Sequence, residues 1–256
     1  MFETPPILIS LSSFGADEVR RHGQRWFVAL AEQAGADGVE VRGELLHDAA
    51  AELPALAEAA QALQRVYSSP QGLWSDGGAL DRDALDSGLR AAALLAAPRL
   101  KMAIGGWCAA SASSMRALRD RLADTPVELV IENDQTASAG TLTAMTRFFD
   151  AVQAQGLDLG MTFDIGNWHW TGECPLQAAA ALAPQVRYVH CKGVQRQPQR
   201  WVAVPLAESA APWRAVLRAL PAGVPWAIEY PLAGDDLIAV TRQQVQQLRA
   251  IAGSLV

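Results

Sequence analysis

The stretches Val127-Glu128-Leu129-Val130-Ile131-Glu132 and Leu159-Gly160-Met161-Thr162-Phe163-Asp164 decide the fold. Each is a short apolar run of strand-forming residues that closes on a carboxylate, and the intervening residues 141–155 read as a helix. The same strand–helix unit recurs on both sides. Upstream, strands are expected over 7–11, 38–42, 65–67 and 100–104, with helices over 17–34, 50–62, 81–96 and 112–122. Downstream, a helix over 175–182 leads to a strand over 186–190, a helix over 211–220 leads to a strand over 226–229, and a last helix covers 237–251. Eight units at roughly 30-residue spacing predict a closed parallel α/β barrel, a single (β/α)8 domain of the TIM type over residues 1–256. An open doubly wound sheet would bring fewer units and a Gly-rich first turn, and the chain has neither GxGxxG nor GxxxxGK[ST]. The polar run 195–200 lies inside the seventh loop and is too short to serve as a linker between domains.

Composition narrows the function. The chain has 256 residues, 50% hydrophobic and 19% charged, which argues for a large buried core and against disorder. Its net charge of -6 opposes sequence-independent binding to nucleic acid or to an anionic membrane, because both need a surplus of Lys and Arg. Cys108, Cys174 and Cys191 form no CxxC pair and no disulfide framework, so a reducing cytoplasmic setting is expected. The start, Met1 to Pro6, lacks a basic segment followed by an apolar one, so no signal peptide is expected, and no apolar run is long enough to span a bilayer. Of the 21 basic residues only Lys101 and Lys192 are lysines.

In a barrel of this kind chemistry gathers at the C-terminal ends of the strands. Strands 5 to 8 end in Glu132, Asp164, His190 and Glu229. Side chains two apart share a face, so Glu132 lies with Val130, Asp164 with Thr162, His190 with Tyr188 and Lys192, and Glu229 with Ala227. Ile131, Phe163, Val189 and Ile228 then face the helices. Adjacent strands are about 4.8 Å apart, so the four polar groups converge. Three carboxylates and an imidazole at one point repel unless a cation joins them. Oxygen-rich ligation with one nitrogen favours a single Mn²⁺, Mg²⁺ or Co²⁺, with Zn²⁺ as an alternative.

The order of these ligands, carried by the runs VIENDQT, FDIGNWHW, YVHCKG, VPLAES and AIEYPL, resembles the xylose isomerase-like barrel superfamily. That group holds sugar isomerases and epimerases, hydroxypyruvate isomerases, some dehydratases and the endonuclease IV nucleases. The resemblance implies that Glu132, Asp164, His190 and Glu229 bind the metal and that Glu132 and Glu229 also exchange protons with substrate. The implied activity is isomerisation or epimerisation of a sugar or a small hydroxy-carbonyl compound, such as a keto or hydroxy acid, through an enediolate. A dehydratase or lyase on the same site is the alternative, and a non-catalytic sugar-binding barrel a further one. A nuclease of the endonuclease IV type needs three zinc ions and extra His ligands, which strands 3 and 4 lack. A homo-oligomer is open. Three departures from the group's usual pattern fall outside the four ligands. Asn167 stands where an epimerase often has His, Gly193 follows Lys192 in place of Asp, and Ala207 and Ser209 flank Glu208 in place of Gly.

Other residues join the site by position. Lys192 lies one step above His190 and is suited to an anionic or hydroxyl oxygen. Glu40 and Arg42 share the inward face of strand 2, where they either read the far end of a substrate or pair with each other. Lys101 is expected to pair with Glu128 in the barrel floor. Asn167 and His169 follow strand 6 as substrate contacts. Trp107, Trp168 and Trp170 offer aromatic walls or rim packing. Arg196, Arg200 and Trp201 follow strand 7, where they grip a phosphate or carboxylate or form a solvated loop. His22 and His47 are expected at the surface.

Overall fold

A computed structural model describes residues 4–255; Met1 to Glu3, which open the segment read for a leader, and Val256 lie outside the described residues. The chain runs β1 (Ile7–Ser10), α1 (Ala16–His22), α2 (Gln24–Gln33), β2 (Gly38–Arg42), α3 (Ala49–Ala59), β3 (Gln64–Trp74), α4 (Arg82–Leu94), β4 (Arg99–Gly105), α5 (Met115–Leu122), β5 (Glu128–Glu132) and α6 (Leu142–Ala154). It continues through β6 (Gly160–Asp164), α7 (Pro175–Leu182), β7 (Val186–Cys191), β8 (Gly193–Arg196), β9 (Trp201–Val204), α8 (Trp213–Ala219), β10 (Trp226–Ile228) and α9 (Leu237–Leu255). Strands β1 to β7 and β10 close into an eight-stranded parallel barrel in which β10 pairs with both β7 and β1. No helix among the described residues is long and apolar enough to cross a membrane.

Alternation along the strands divides the core in two. Ile131, Phe163, Val189 and Ile228 belong to the large outer cluster between sheet and helices, as the period-two pattern requires. Leu8, Val66, Tyr188 and Ala227 form a small separate cluster on the opposite face. That second cluster is the apolar layer of the barrel interior. Two residues further up the same strands stand Ser10, Ser68, His190 and Glu229, so the lining turns from apolar to polar within one pleat. Of these, Ser10, Ser68 and His190 are buried.

The secondary structure differs from the sequence reading chiefly in three places. The helix expected over 17–34 is two helices, because Gly23 takes a φ of 76° between them. Strand β3 runs to Trp74 rather than ending at Tyr67: Ser69-Pro70-Gln71 form a bulge where the register with β4 shifts between Ser68 and Gly72. The polar run after strand 7 is an antiparallel hairpin, with Gly193 opposite Val204 and Arg196 opposite Trp201.

The upper end of β4 depends on glycine. Gly105 has φ 78° and pairs with Trp74, and a Cβ there would collide with the Trp74 carbonyl oxygen. That oxygen already accepts the Gly106 N–H at 2.9 Å. We predict that Gly105→Ala lowers stability by about 2 kcal/mol through this strain. For a chain of this size that is a fall in Tm of roughly 4–8 °C by calorimetry; an unchanged Tm would show that the loop relaxes freely.

Candidate metal centre

Strand register brings the four ligand candidates together. Asp164 pairs with His190 across β6 and β7, and Ala227, two residues before Glu229, pairs with His190 across β7 and β10. Glu132 pairs with Thr162, one pleat below Asp164. One donor atom from each of Glu132, Asp164, His190 and Glu229 lies within 4.8 Å of every other. That span matches one small ion with ligands at about 2.0–2.6 Å. The cluster suits a divalent metal ion.

Each donor is aimed by partners behind it. His190 directs Nδ1 at the cluster, 2.8 Å from Glu132 Oε1 and 2.9 Å from Glu229 Oε2. Its other nitrogen, Nε2, lies 2.8 Å from Glu40 Oε2, and both residues are fully buried. A carboxylate on the far ring nitrogen is the usual way to fix the orientation of a ligating histidine. Asp164 Oδ1 accepts the backbone N–H groups of Gly166 and Asn167, each at 2.8 Å. Its Oδ2 is a buried acceptor that receives no directed hydrogen bond, although Lys192 Nζ makes an ion-pair contact at 2.8 Å. Burial lifts the Asp164 carboxyl above its ordinary range despite that neighbour. An incompletely compensated buried carboxylate oxygen facing three other donors is what a cation would satisfy.

Charge is otherwise closely matched. Lys101 Nζ sits 2.7 Å from Glu132 Oε2 and 3.2 Å from Glu40 Oε1. Arg42 Nη1 reaches Glu40 Oε1 at 3.0 Å and Glu229 Oε1 at 2.9 Å, while its Nη2 meets Glu44 at 2.8 Å. Burial alone would raise the Glu229 carboxyl, but His190 and Lys192 outweigh it and hold Glu229 well below the usual range. Burial likewise opposes the charged imidazole, yet Glu229 and Glu40 lift His190 well above its ordinary value.

The expected Lys101–Glu128 pair is not formed. Register sets Lys101 opposite Val130 and Arg99 opposite Glu128, so Lys101 extends upward to Glu132. Glu128 is held instead by Arg99 at 2.8 Å and Arg187 at 3.1 Å. The stagger of neighbouring strands, which residue spacing alone does not reveal, decides the partner.

The remaining site candidates are dispersed. Glu40 lies beneath the cluster with its oxygens on His190, Lys101, Arg42 and Ser10. Asn167 is buried and committed to the protein: its Nδ2 donates to Asn133 O, and its Oδ1 accepts from Gln135 and Lys192. His169 packs against Trp201 of the hairpin at 5.0 Å between ring centroids, and its Nε2 is buried without a partner. Trp107 meets Phe148 edge-on at 5.8 Å, outside the cluster. Trp168 is fully buried against Phe163. Arg200 is exposed at the hairpin tip, and Arg196 lies over the Trp201 ring at 5.2 Å. His22 and His47 are exposed.

Asn133 has a role that the strand-end reading did not assign. It is fully buried, accepts the Asp164 N–H at 2.9 Å and donates to the Asp164 carbonyl at 3.1 Å. A side chain thus continues the β5–β6 ladder past the last paired residue and fixes Asp164. An uncharged polar residue directly after a strand-end Glu was the available signal.

Comparison with known proteins agrees with this architecture. The profile of the xylose isomerase-like TIM barrel family matches residues 28–251, and the chain belongs to that family. A search of curated proteins returns no match. Among solved structures, D-allulose 3-epimerase from Methylomonas sp. in complex with D-allulose superposes with a TM-score of 0.68 at 16% identity, covering 97% of this chain and 98% of that one. The probable 3-DHS dehydratase involved in petrobactin synthesis from Bacillus anthracis gives 0.66 at 14% identity, with 95% and 98% covered. A xylose isomerase-like TIM barrel protein from Mycobacterium smegmatis in complex with magnesium gives 0.65 at 16% identity, with 98% of both chains covered. At these identities the likeness is one of fold.

The Glu40–His190 contact is testable. Glu40→Gln keeps the shape but weakens the hold on Nε2, and we expect Mn²⁺ affinity by calorimetric titration to fall about 10- to 100-fold. Glu40→Ala removes one of the buried counter-charges of Lys101 and His190, which keep Glu132 and Glu229, and should cost about 3–5 kcal/mol in a denaturant melt. Wild-type affinity in Glu40→Gln would show that His190 is oriented by other contacts.

Proposed function

We propose that the protein is a divalent-metal-dependent isomerase or epimerase of a sugar or small hydroxy-carbonyl compound, acting by proton transfer at the carbon beside a carbonyl. The observation that carries this reading is the meeting of Glu132, Asp164, His190 and Glu229 at the end of four consecutive barrel strands, within one ion's reach. The superposition on a ketose epimerase and on a magnesium-bound barrel supports it.

A carbon acid of this type needs a base within reach and a sink for charge on the neighbouring oxygen. A divalent ion bound by the four residues supplies the sink and orients the substrate oxygens. The protein residues do the rest. Glu132 and Glu229 stand on β5 and at the end of β10, with β6 and β7 between them, so they flank the mouth from two sides. One carboxylate takes the proton and the other returns one. Return to the same carbon from the opposite face epimerises it, and return to the adjacent carbon isomerises. Lys101, held between Glu132 and Glu40, keeps Glu132 ionised against burial. Asn133 keeps Asp164 in line. Among the described residues no second cluster of metal-ligating groups adjoins the first. Together with the net charge of -6, that weighs against a three-zinc nuclease.

Elemental analysis of the purified chain, after separate equilibration with Mn²⁺, Mg²⁺, Co²⁺ and Zn²⁺, should give about one ion per chain, the stoichiometry of a single-ion carboxylate and histidine site. About three zinc ions would point to the nuclease class, and no ion under any condition would sink the proposal. Glu132→Gln should abolish solvent-hydrogen exchange into a ketose or keto acid while the chain stays folded, since it removes one proton carrier. Exchange at the wild-type rate would strip Glu132 of that role.

A further inference from the structure

Lys192 makes a contact that competes with a metal in the cluster. Its ammonium lies 2.8 Å from Asp164 Oδ2 and 2.7 Å from Glu229 Oε2. Glu229 Oε2 also lies 2.9 Å from His190 Nδ1, and Asp164 Oδ2 is the oxygen left without a directed hydrogen bond. These atoms face the shared centre. An ammonium and a divalent cation drawn to the same two oxygens compete for them, since the two cations repel by several kT even in a partly screened interior. The other cations are placed differently. Lys101 approaches Glu132 and Glu40 from the barrel interior, and Arg42 takes Glu229 through Oε1. Lys192 alone uses oxygens directed at the cluster, and it also lines a cavity of about 250 Å³ above it with Ser12, Ala203, Glu229 and Tyr230.

We propose that Lys192 occupies some of the metal position when the ion is absent, and that metal loading releases its ammonium to hold the carboxylate of a small hydroxy or keto acid in that cavity. The inference rests on the metal-site reading above and narrows it from hydroxy-carbonyl compounds in general to acids. The cavity favours an acid for a second reason. The polar side chains that line it beside Glu229 are Ser12, Ser13, Tyr230 and Lys192; Ser13 donates to the Ile228 carbonyl, Tyr230 donates to Gln244 Oε1, and Ser12 shares a hydrogen bond with Ser10. What remains is the Lys192 ammonium, a donor suited to a carboxylate. The ammonium has a resting partner outside the cluster, Asn167 Oδ1 at 3.1 Å, so its release does not strand it in an apolar wall.

Two consequences follow, and a role in packing alone would produce neither. Metal and carboxylate should bind with positive coupling, and removal of the ammonium should strengthen metal binding while it weakens acid binding. Mn²⁺ is titrated into the wild-type chain alone, with saturating lactate, and with saturating dihydroxyacetone, after correction for chelation by free lactate. Lactate should raise Mn²⁺ affinity by about fivefold or more, as for a typical linked pair of sites, and dihydroxyacetone should leave it unchanged. Lys192→Met, shown folded by circular dichroism, should bind Mn²⁺ about tenfold tighter without lactate, because a competing charge has gone. Its coupling to lactate should be lost. Equal or weaker Mn²⁺ binding in folded Lys192→Met, or equal coupling to the two probes in wild type, would overturn the proposal. If Lys192→Met does not fold, the wild-type comparison of lactate with dihydroxyacetone decides alone. A wild-type chain that binds Mn²⁺ without preference between the probes defeats this inference and leaves the metal site standing. One that binds no metal defeats the site itself.

Discussion

The contact between His190 and Glu40 at the centre of the barrel governs the arrangement above it. Both side chains are fully buried, and a buried imidazole without a partner would turn or neutralise to suit its surroundings. Glu40 holds one ring nitrogen, which leaves the other directed at Glu132 and Glu229. Four carboxylates (Glu40, Glu132, Asp164 and Glu229) and three permanent cations (Arg42, Lys101 and Lys192) then surround that ring. Removing one member leaves its buried neighbours short of a counter-charge, a more severe loss than the pair itself is worth. The network is therefore less a source of net stability than a constraint that admits one geometry.

The barrel makes this constraint tolerable. An apolar layer of Leu8, Val66, Tyr188 and Ala227 closes the interior below the charges. Arg99 and Arg187 tie Glu128 at the opposite end, away from the site. The polar layer is thus confined to one end of a rigid tube whose backbone hydrogen bonds are satisfied by closure. Side chains on eight separate strands can meet there with little freedom to separate, which is why pre-organisation is available without a disulfide. The loops add what strands cannot reach: the hairpin of β8 and β9 brings Ala203 over the mouth, and the turn after β1 brings Ser12.

Much of this was legible in the chain, and the reason is periodicity. Alternating apolar runs with a polar residue at the same end gave the barrel, the inward faces and the four converging donors, since each needs only the two-residue repeat of a strand. Lys101 marks the limit of that periodicity. Its inward face was readable, but its height relative to Glu128 depended on strand stagger, and the register places it with Glu132 instead. Strand β3 shows a second limit. Pro70 and Gly72 are turn formers locally, yet pairing with β4 on one side carries the strand through them as a bulge. The hairpin of β8 and β9 is the same case, a polar segment whose strands form because they pair with each other.

The sequence by itself determined which residues face inward and at which end of each strand a charge stands, because strand geometry fixes both within a few residues. Tertiary structure decided which charges touch. Whether Glu40 reads a substrate or orients His190, whether Asn167 is free or spent on Asn133 and Lys192, and whether Lys192 stands beside the cluster or in it are set by distances of a few ångströms between strands far apart in the chain. Electrostatic energy in a buried site varies steeply over those distances, and no one-dimensional pattern encodes them.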